Sequence, residues 1–66
     1  MTADQFNALH AVGTAVTVYP GARDGRAIHT RTRSAAYTHQ GHTDVVFVED
    51  HGAFIALSHV DVEVAR

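Results

Sequence analysis

Two arginines on alternate positions of a predicted strand are the residues best suited to binding chemistry. Arg31 and Arg33 stand in the stretch HTRTRS, which covers residues 29–34. Alternate side chains of a strand share one face about 6.5–7 Å apart, which is close to the spacing of successive phosphates. His29 precedes them on this face, and Tyr37 follows them where its ring would stack on a base. The pattern therefore predicts a face that binds anions, either phosphates or carboxylates.

The other charges of the chain favour carboxylates as the partners of these arginines. Arg23 and Arg26 extend the basic stretch, whereas most acidic residues lie in the C-terminal part. The formal net charge of −2 is unfavourable for nucleic acid binding, because phosphate affinity grows with the number of Lys and Arg residues. We therefore favour ion pairs across neighbouring strands, or with an acidic partner, although edge strands also carry charges that prevent aggregation. The candidate carboxylates within the chain are Asp44, Glu49, Asp61 and Glu63.

The six histidines do not predict a metal site. Zinc sites need three or four nitrogen, oxygen or sulfur ligands in tetrahedral geometry. His39 and His42 are close in sequence, but His51 and His59 are more distant, and the chain has no cysteine to supply a thiolate. Because clustered imidazoles titrate between about pH 5 and 8, a pH-sensitive surface is favoured over a metal site. We expect no metal and no cofactor.

Ser58, His59 and Asp61 are the residue types of a catalytic triad, but their spacing argues against catalysis. Consecutive side chains of a strand point to opposite faces, so Ser58 and His59 would not meet as nucleophile and base. A domain of this size also offers little cleft from which water is excluded. We expect a polar interruption between strands here, and no enzymatic activity.

Size and composition predict one small globular domain over residues 1–66. A length of 66 residues is near the lower size limit for a fold held by its own core. The composition, 45% apolar and 18% charged, is that of an ordinary globular protein. The N-terminal residues lack the basic and apolar segments of a signal peptide, and no apolar run approaches the roughly 18 residues of a membrane span. We therefore expect a soluble cytoplasmic protein.

Hydrophobic periodicity predicts a short helix followed by five strands. Thr2 and Gln5 form a capping-box pattern, and Phe6 and Leu9 supply an apolar helix face. We expect Gly52 to supply the positive φ of a tight hairpin. The predicted elements are a helix at about 3–10, strands at about 14–19, 28–37, 43–49, 53–58 and 60–64, an exposed loop at 20–27 and a brief 3₁₀ interruption at residues 58–59.

This order of elements predicts a mainly β fold, namely a small SH3-like barrel of about five antiparallel strands with a short N-terminal helix. The strands leave Val45, Phe47 and Phe54 without cover inside a single core. Either the helix or a second chain must cover them, so a homodimer is a further expectation. The predicted core consists of Phe6, Leu9, Val16, Val18, Ile28, Val46, Val48, Ile55, Leu57, Val60 and Val62.

Several motifs spread over most of the chain resemble short uncharacterised proteins of streptomycetes, related actinobacteria and their phages. The motifs are VGTxV at 12–16, YPG at 19–21, TRTRSxA at 30–36, GHTxVV at 41–46 and IALxHV at 55–60, together with Phe6-Asn7. The chain departs from the pattern at Tyr37, where a tryptophan is expected, and at Asp44, where a proline is expected. The resemblance implies an actinobacterial or phage source and an accessory role, and it implies no catalytic residue and no ligand.

Together these patterns predict a non-enzymatic accessory module that binds another protein. The predicted binding surface combines the loop at 20–27 with the face that carries Arg31 and Arg33. Nucleic acid binding on the same face is the alternative, and we expect no contact with membranes. The predicted binding residues are Arg23, Arg26, His29, Arg31, Arg33 and Tyr37.

Overall fold

The computed structural model describes residues 1–21 and 25–63 as one short helix and six short strands. In chain order these are α1 (Ala3–Leu9), β1 (Ala15–Val18), β2 (Ile28–Arg31), β3 (Tyr37–His39), β4 (Thr43–Val46), β5 (Ile55–Ala56), a 3₁₀ turn (Leu57–His59) and β6 (Val60–Val62). The strands form two antiparallel sheets, with the orders β2-β1-β6 and β3-β4-β5. The mainly β prediction is therefore confirmed. Arg23 and the predicted strand end at residue 64 lie outside the described residues.

The helix begins at the predicted capping box, and only part of its predicted apolar face is buried. Thr2 Oγ1 accepts the Gln5 main-chain N–H at 3.1 Å, and Gln5 Oε1 accepts the Thr2 N–H at 2.9 Å. Ala3 and Phe6 are buried, but Leu9 is 68% exposed, so its assignment to the core is wrong. Each step of three residues rotates a side chain by about 60° around a helix, which carries Leu9 away from the face that Ala3 and Phe6 bury.

The first sheet follows the predicted alternation closely. On the central strand β1, Val16 and Val18 are completely buried, and Thr17 between them faces outward beside His29 and Asp61 of the flanking strands. Cross-strand neighbours share a face, so the partners of Val16 and Val18 also point inward. These inward partners are Ile28 and Thr30 on β2, and Val60 and Val62 on β6.

The predicted strand at 28–37 is wrong as a single element, because the chain changes sheets within it. β2 ends at Arg31 in the first sheet, Thr32 forms an isolated bridge with Val48, and β3 begins at Tyr37 in the second sheet. Between them, the Asn7 side chain replaces a neighbouring strand: its Oδ1 accepts the Ala36 N–H and its Nδ2 donates to the Ala36 carbonyl, both at 2.8 Å. Satisfying these main-chain groups lets the chain leave one ladder and join the next.

The two ladders do not close into one barrel in the described residues. Where the sheets meet, the bridge between Thr32 and Val48 is flanked by main-chain hydrogen bonds from Arg33 to Phe47 and from Glu49 to Arg31, each 2.9 Å. The predicted strands at 43–49 and 53–58 are accordingly shorter, and six strands replace the predicted five. The interruption predicted at residues 58–59 is confirmed as the 3₁₀ turn.

One hydrophobic core fills the space between the inner faces of the two sheets and α1. Apart from Leu9, the predicted core residues are buried or pack against the buried cluster. Ala3 and Ala36 join this cluster, and Thr30 and Thr32 are buried beside it. No helix in the described part of the chain is long and apolar enough to cross a membrane.

The turns place left-handed backbone at residues other than the expected glycine. In the hairpin between β4 and β5, Asp50 has φ +67° and Gly52 lies outside the left-handed region, so the prediction for Gly52 is wrong. Aspartate tolerates this conformation because its short polar side chain bonds locally. Between β3 and β4, Gln40 and Gly41 both have positive φ, as in a type I′ turn.

This difference predicts unequal effects for two glycine substitutions. Gly41→Ala should destabilise the protein by about 1–2 kcal/mol, because φ is +71° and a Cβ is strained there. Gly52→Ala should change the free energy of unfolding by less than about 0.5 kcal/mol, since open space surrounds its Cα. Chemical denaturation of both variants checks the assignment, and equal losses would contradict it.

The clamp between Asn7 and Ala36 predicts a second effect on stability. Asn7→Ala leaves a part-buried N–H and carbonyl without partners and should cost about 1–3 kcal/mol. Asn7→Asp keeps the acceptor but loses the donor, so its unfolding free energy should lie between those of the wild type and Asn7→Ala. Urea denaturation of the three proteins measures this order, and an unchanged Asn7→Ala variant would show that the clamp is dispensable.

Candidate functional site

The predicted arginine face is divided between the two sheets. Arg31 and Arg33 are both exposed, as their alternation predicts, but their guanidinium groups bind different elements. Arg31 Nη1 donates to the Gly13 carbonyl at 3.1 Å, whereas Arg33 Nε donates to the Val48 carbonyl at 2.8 Å. The structure therefore does not bring the two arginines together as one row of phosphate ligands.

Arg33 is held by the turn that follows β4. Besides its bond to Val48, Arg33 Nη2 donates to the carbonyls of His51 and Gly52 at 3.3 and 3.4 Å. Its guanidinium carbon lies 4.7 Å from the centre of the Phe47 ring, which is a cation–π distance. The turn at residues 48–52 thus wraps around the guanidinium group, whose positive charge stays at the surface.

Main-chain carbonyls, rather than the expected carboxylates, are the partners of these arginines. In residues 1–21 and 25–63, no carboxylate lies within ion-pair distance of Arg31 or Arg33, so the predicted pairing within the chain is wrong for both, and pairing with an acidic partner stays a prediction. The cause is register: strand pairing presents carbonyl groups of the neighbouring turns to the two guanidinium groups, which donate to them.

The remaining side chains of residues 29–34 also bind neighbouring segments, and we call this stretch the polar seam. Thr30 Oγ1 donates to the Glu49 carbonyl at 2.8 Å, and Thr32 Oγ1 accepts the Gly13 N–H at 3.0 Å. Ser34 Oγ accepts the Phe47 N–H at 3.2 Å. The seam therefore joins the first sheet to the segment that connects β4 and β5.

His29 and Arg31 line an open cleft on the outer side of the first sheet. His29 Nδ1 lies 3.0 Å from Thr17 Oγ1 and 3.4 Å from Glu63 Oε2, and Thr17 Oγ1 donates to the same carboxylate at 3.3 Å. The cleft has a volume of about 360 Å³ and carries charges of both signs. Its lining consists of Ala15, His29, Thr30, Arg31, Glu49, Asp50 and Glu63.

Tyr37 lies on the second sheet in a cluster of rings that we call the aromatic face, formed by Tyr37, His39, Phe47 and Phe54. Tyr37 and Phe47 are stacked, with ring centres 6.2 Å apart and planes inclined by 25°. Phe54 lies edge-on to Phe47 at 6.3 Å and packs on His39 at 4.4 Å. Such offset and edge-on contacts are the favoured geometries of aromatic pairs, so the cluster is stable as well as exposed.

The strands of the second sheet place these rings over a buried valine. Tyr37 is paired with Val45, so both side chains lie on the outer side of the sheet, yet Val45 is completely buried. The adjacent Val46 points the other way, into the main core. The register therefore places the aromatic face over Val45 on this side of the sheet.

The cover is incomplete, and it leaves a small apolar surface beside a cation. Tyr37 and Phe54 are each 39% exposed. Since an aromatic side chain contributes about 150–250 Å² when fully buried, the two rings leave roughly 120–200 Å² accessible. Arg33, stacked on Phe47, adds a positive charge at this surface.

Sequence reasoning assigned Arg33 and Tyr37 to a binding surface but missed His39, Phe47 and Phe54. A signal was present in the sequence, because Val45, Phe47 and Phe54 are apolar residues on the strand face that the single core does not cover. Their convergence required the pairing of β3 with β4 and the return of the chain at β5. In the predicted loop at 20–27, Arg26 is exposed and Arg23 lies outside the described residues.

The histidines contact different parts of the molecule. His39 belongs to the aromatic face, whereas His59 Nδ1 lies 3.0 Å from the Tyr19 carbonyl. In the described part of the chain, no group of three or more His, Asp or Glu side chains is placed to hold a metal ion.

Comparison of the chain with protein-family models, with curated proteins and with solved structures gives no match. The resemblance to actinobacterial and phage proteins therefore stays a prediction. Inferences about function depend on the surface chemistry of this chain alone.

The contacts of the two arginines predict unequal contributions to stability. Arg33→Ala removes bonds to three carbonyls and a cation–π contact, and should cost about 1–3 kcal/mol. Arg31→Ala removes one exposed bond and should cost less than about 1 kcal/mol. Guanidinium denaturation measures both, with the exposed Arg26→Ala as control, and a larger loss for Arg31 would show that the seam is anchored elsewhere.

Proposed function

We propose that this protein is a small non-enzymatic module that binds a partner protein on the aromatic face and Arg33. The observation that carries the proposal is the pair of stacked rings, Tyr37 and Phe47, with Arg33 over one of them and Tyr37 partly open to solvent. Aromatic residues and arginine are the types most enriched where proteins bind one another, because they bury much area at a small entropy cost.

The proposed surface is preorganised, which favours binding. Phe47 is fixed by its N–H bond to Ser34 Oγ, by its carbonyl bond to the Arg33 N–H, and by the guanidinium group over its ring. A surface that is rigid before association loses little conformational entropy when a partner binds. We further propose that the loop at 20–27 and Arg31 make flanking contacts with the partner.

The proposed architecture is an SH3-like arrangement of the strands. It is supported by the central position of β1 between β2 and β6, by the long connection between β1 and β2, and by the 3₁₀ turn immediately before β6. Because unrelated functions share small β folds, this arrangement adds nothing to the choice of ligand.

Nucleic acid binding is less well supported than protein binding. Guanidinium donors of Arg31 and Arg33 are hydrogen-bonded to main-chain carbonyls of the chain itself, and the formal net charge of the chain is −2. Phosphate affinity depends on cations that are free to displace counterions. The experiment must therefore distinguish the binding of a protein segment from the binding of single-stranded nucleic acid to the rings.

Selection from a displayed library of random nine-residue peptides tests the proposal. The wild type should enrich a set of peptides, and the double variant Tyr37→Ser, Phe54→Ser should bind them at least about tenfold more weakly. The matched control is Leu9→Ser, Val12→Ser, which removes two apolar side chains outside the aromatic face that are more exposed than Tyr37 and Phe54. Circular dichroism verifies that all three proteins are folded.

Two results would contradict protein binding on this surface. One is equal peptide binding by the wild type and the Tyr37→Ser, Phe54→Ser variant. The other is the absence of enriched peptides together with binding of a labelled oligothymidine that weakens steeply between about 50 and 200 mM salt. The second result would support the nucleic acid alternative.

A further inference from the structure

In the described residues, the carboxylates make no contact with the cation of the aromatic face. The aromatic face carries the cation Arg33, and none of the six described carboxylates is hydrogen-bonded or ion-paired to it. Three of those carboxylates line the cleft on the first sheet, and Asp44 is bonded to Thr38 Oγ1 at 2.6 Å, a pair on the opposite side of the second sheet from Tyr37. The other two are Asp4, in the first turn of α1, and Asp61, on the outer side of β6.

Arg33 has donors left for a ligand. Its Nε and Nη2 atoms bind carbonyls of the turn, whereas its Nη1 atom donates to no acceptor among the described residues. The guanidinium plane is already fixed by the turn and by Phe47, so a carboxylate that approaches Nη1 meets an oriented donor. A phosphate clamp would need several such cations, and this surface offers one.

The exposed area indicates the size of the occupant. The roughly 120–200 Å² left open on the two rings is far below the approximately 800 Å² that each partner buries in a standard interface. The open apolar area is therefore closer to that of one large side chain than to the broad apolar centre of a dimer interface. One large apolar side chain of an extended segment would cover both rings.

We infer that the aromatic face binds a short acidic segment of a partner protein, in which a carboxylate lies within one or two residues of a large apolar or aromatic side chain. The apolar side chain packs on Tyr37 and Phe54, and the carboxylate accepts hydrogen bonds from Arg33 Nη1. This inference names the ligand class of the proposed function and rests on it.

Three peptide libraries test the charge requirement without altering the protein. They are identical random nine-residue libraries except for the central residue, which is Asp, Asn or Lys. Varying the peptide is preferable to substituting Arg33, because Arg33 also holds the turn at residues 48–52. The Asp library should yield the tightest binders, rich in aromatic and large aliphatic residues next to the centre.

The best peptide of the Asp library is then synthesised with Asp and with Asn at the centre. The change to Asn should weaken binding about fivefold, as for an exposed ion pair, and added salt should reduce the difference. In ¹⁵N-labelled protein, the Asp peptide should shift the Arg33 Nε resonance and the main-chain resonances of Phe47 and Phe54. Binding should be lost in the variant Tyr37→Ser, Phe54→Ser and kept in Leu9→Ser, Val12→Ser.

The alternative outcomes show whether the acidic ligand alone or also the proposed protein binding is wrong. Binders from the Asn or Lys library that match or exceed those of the Asp library, and still depend on Tyr37 and Phe54, would overturn the acidic ligand and leave protein binding in place. Absence of binders from all three libraries would overturn both proposals. A concentration-dependent dimer in sedimentation that the Tyr37→Ser, Phe54→Ser variant abolishes would identify a second copy as the occupant and overturn the inference.

Discussion

The hydrogen bonds that the polar seam makes with the main chain of its neighbours hold the two sheets together. Between the sheets the described residues have one isolated bridge, from Thr32 to Val48. The side chains of Thr30, Arg33 and Ser34 satisfy main-chain groups of residues 47–52, and Thr32 Oγ1 adds a second acceptor for the Gly13 N–H, which also donates to the Thr32 carbonyl. In a chain of 66 residues with a small core, each such group left unsatisfied would remove a large share of the stability.

The seam also determines where the aromatic face lies. Residues 32–36 carry the chain from β2 to β3, so Tyr37 enters the second sheet opposite Val45. Arg33 and Ser34 fix Phe47 through its main chain and its ring. The proposed binding role of Arg33 is compatible with its structural role, because the contacts that fix its guanidinium group leave Nη1 without an acceptor among the described residues.

The two sheets present surfaces of different character. The first sheet presents a cleft in which His29 and Arg31 stand among three carboxylates, so charges of both signs occur there and acidic groups are in excess. The second sheet presents rings and one cation. A surface of that composition favours a ligand that combines an apolar side chain with a negative charge, since each feature alone would leave either the rings or Arg33 unpaired.

Local rules in the sequence determined α1, β1 and the 3₁₀ turn, whereas tertiary structure divided the predicted strand at 28–37 and decided what the side chains bind. The capping box at Thr2 and the alternation around Val16 are visible in the sequence, because they depend on residues a few positions apart. The partners of Arg33 are carbonyl groups, which every residue carries, so no residue type marks them in advance. Likewise, the sequence shows that Phe47 and Phe54 lack cover. Their packing with Tyr37 and His39 depends on strand register, which only the folded chain fixes.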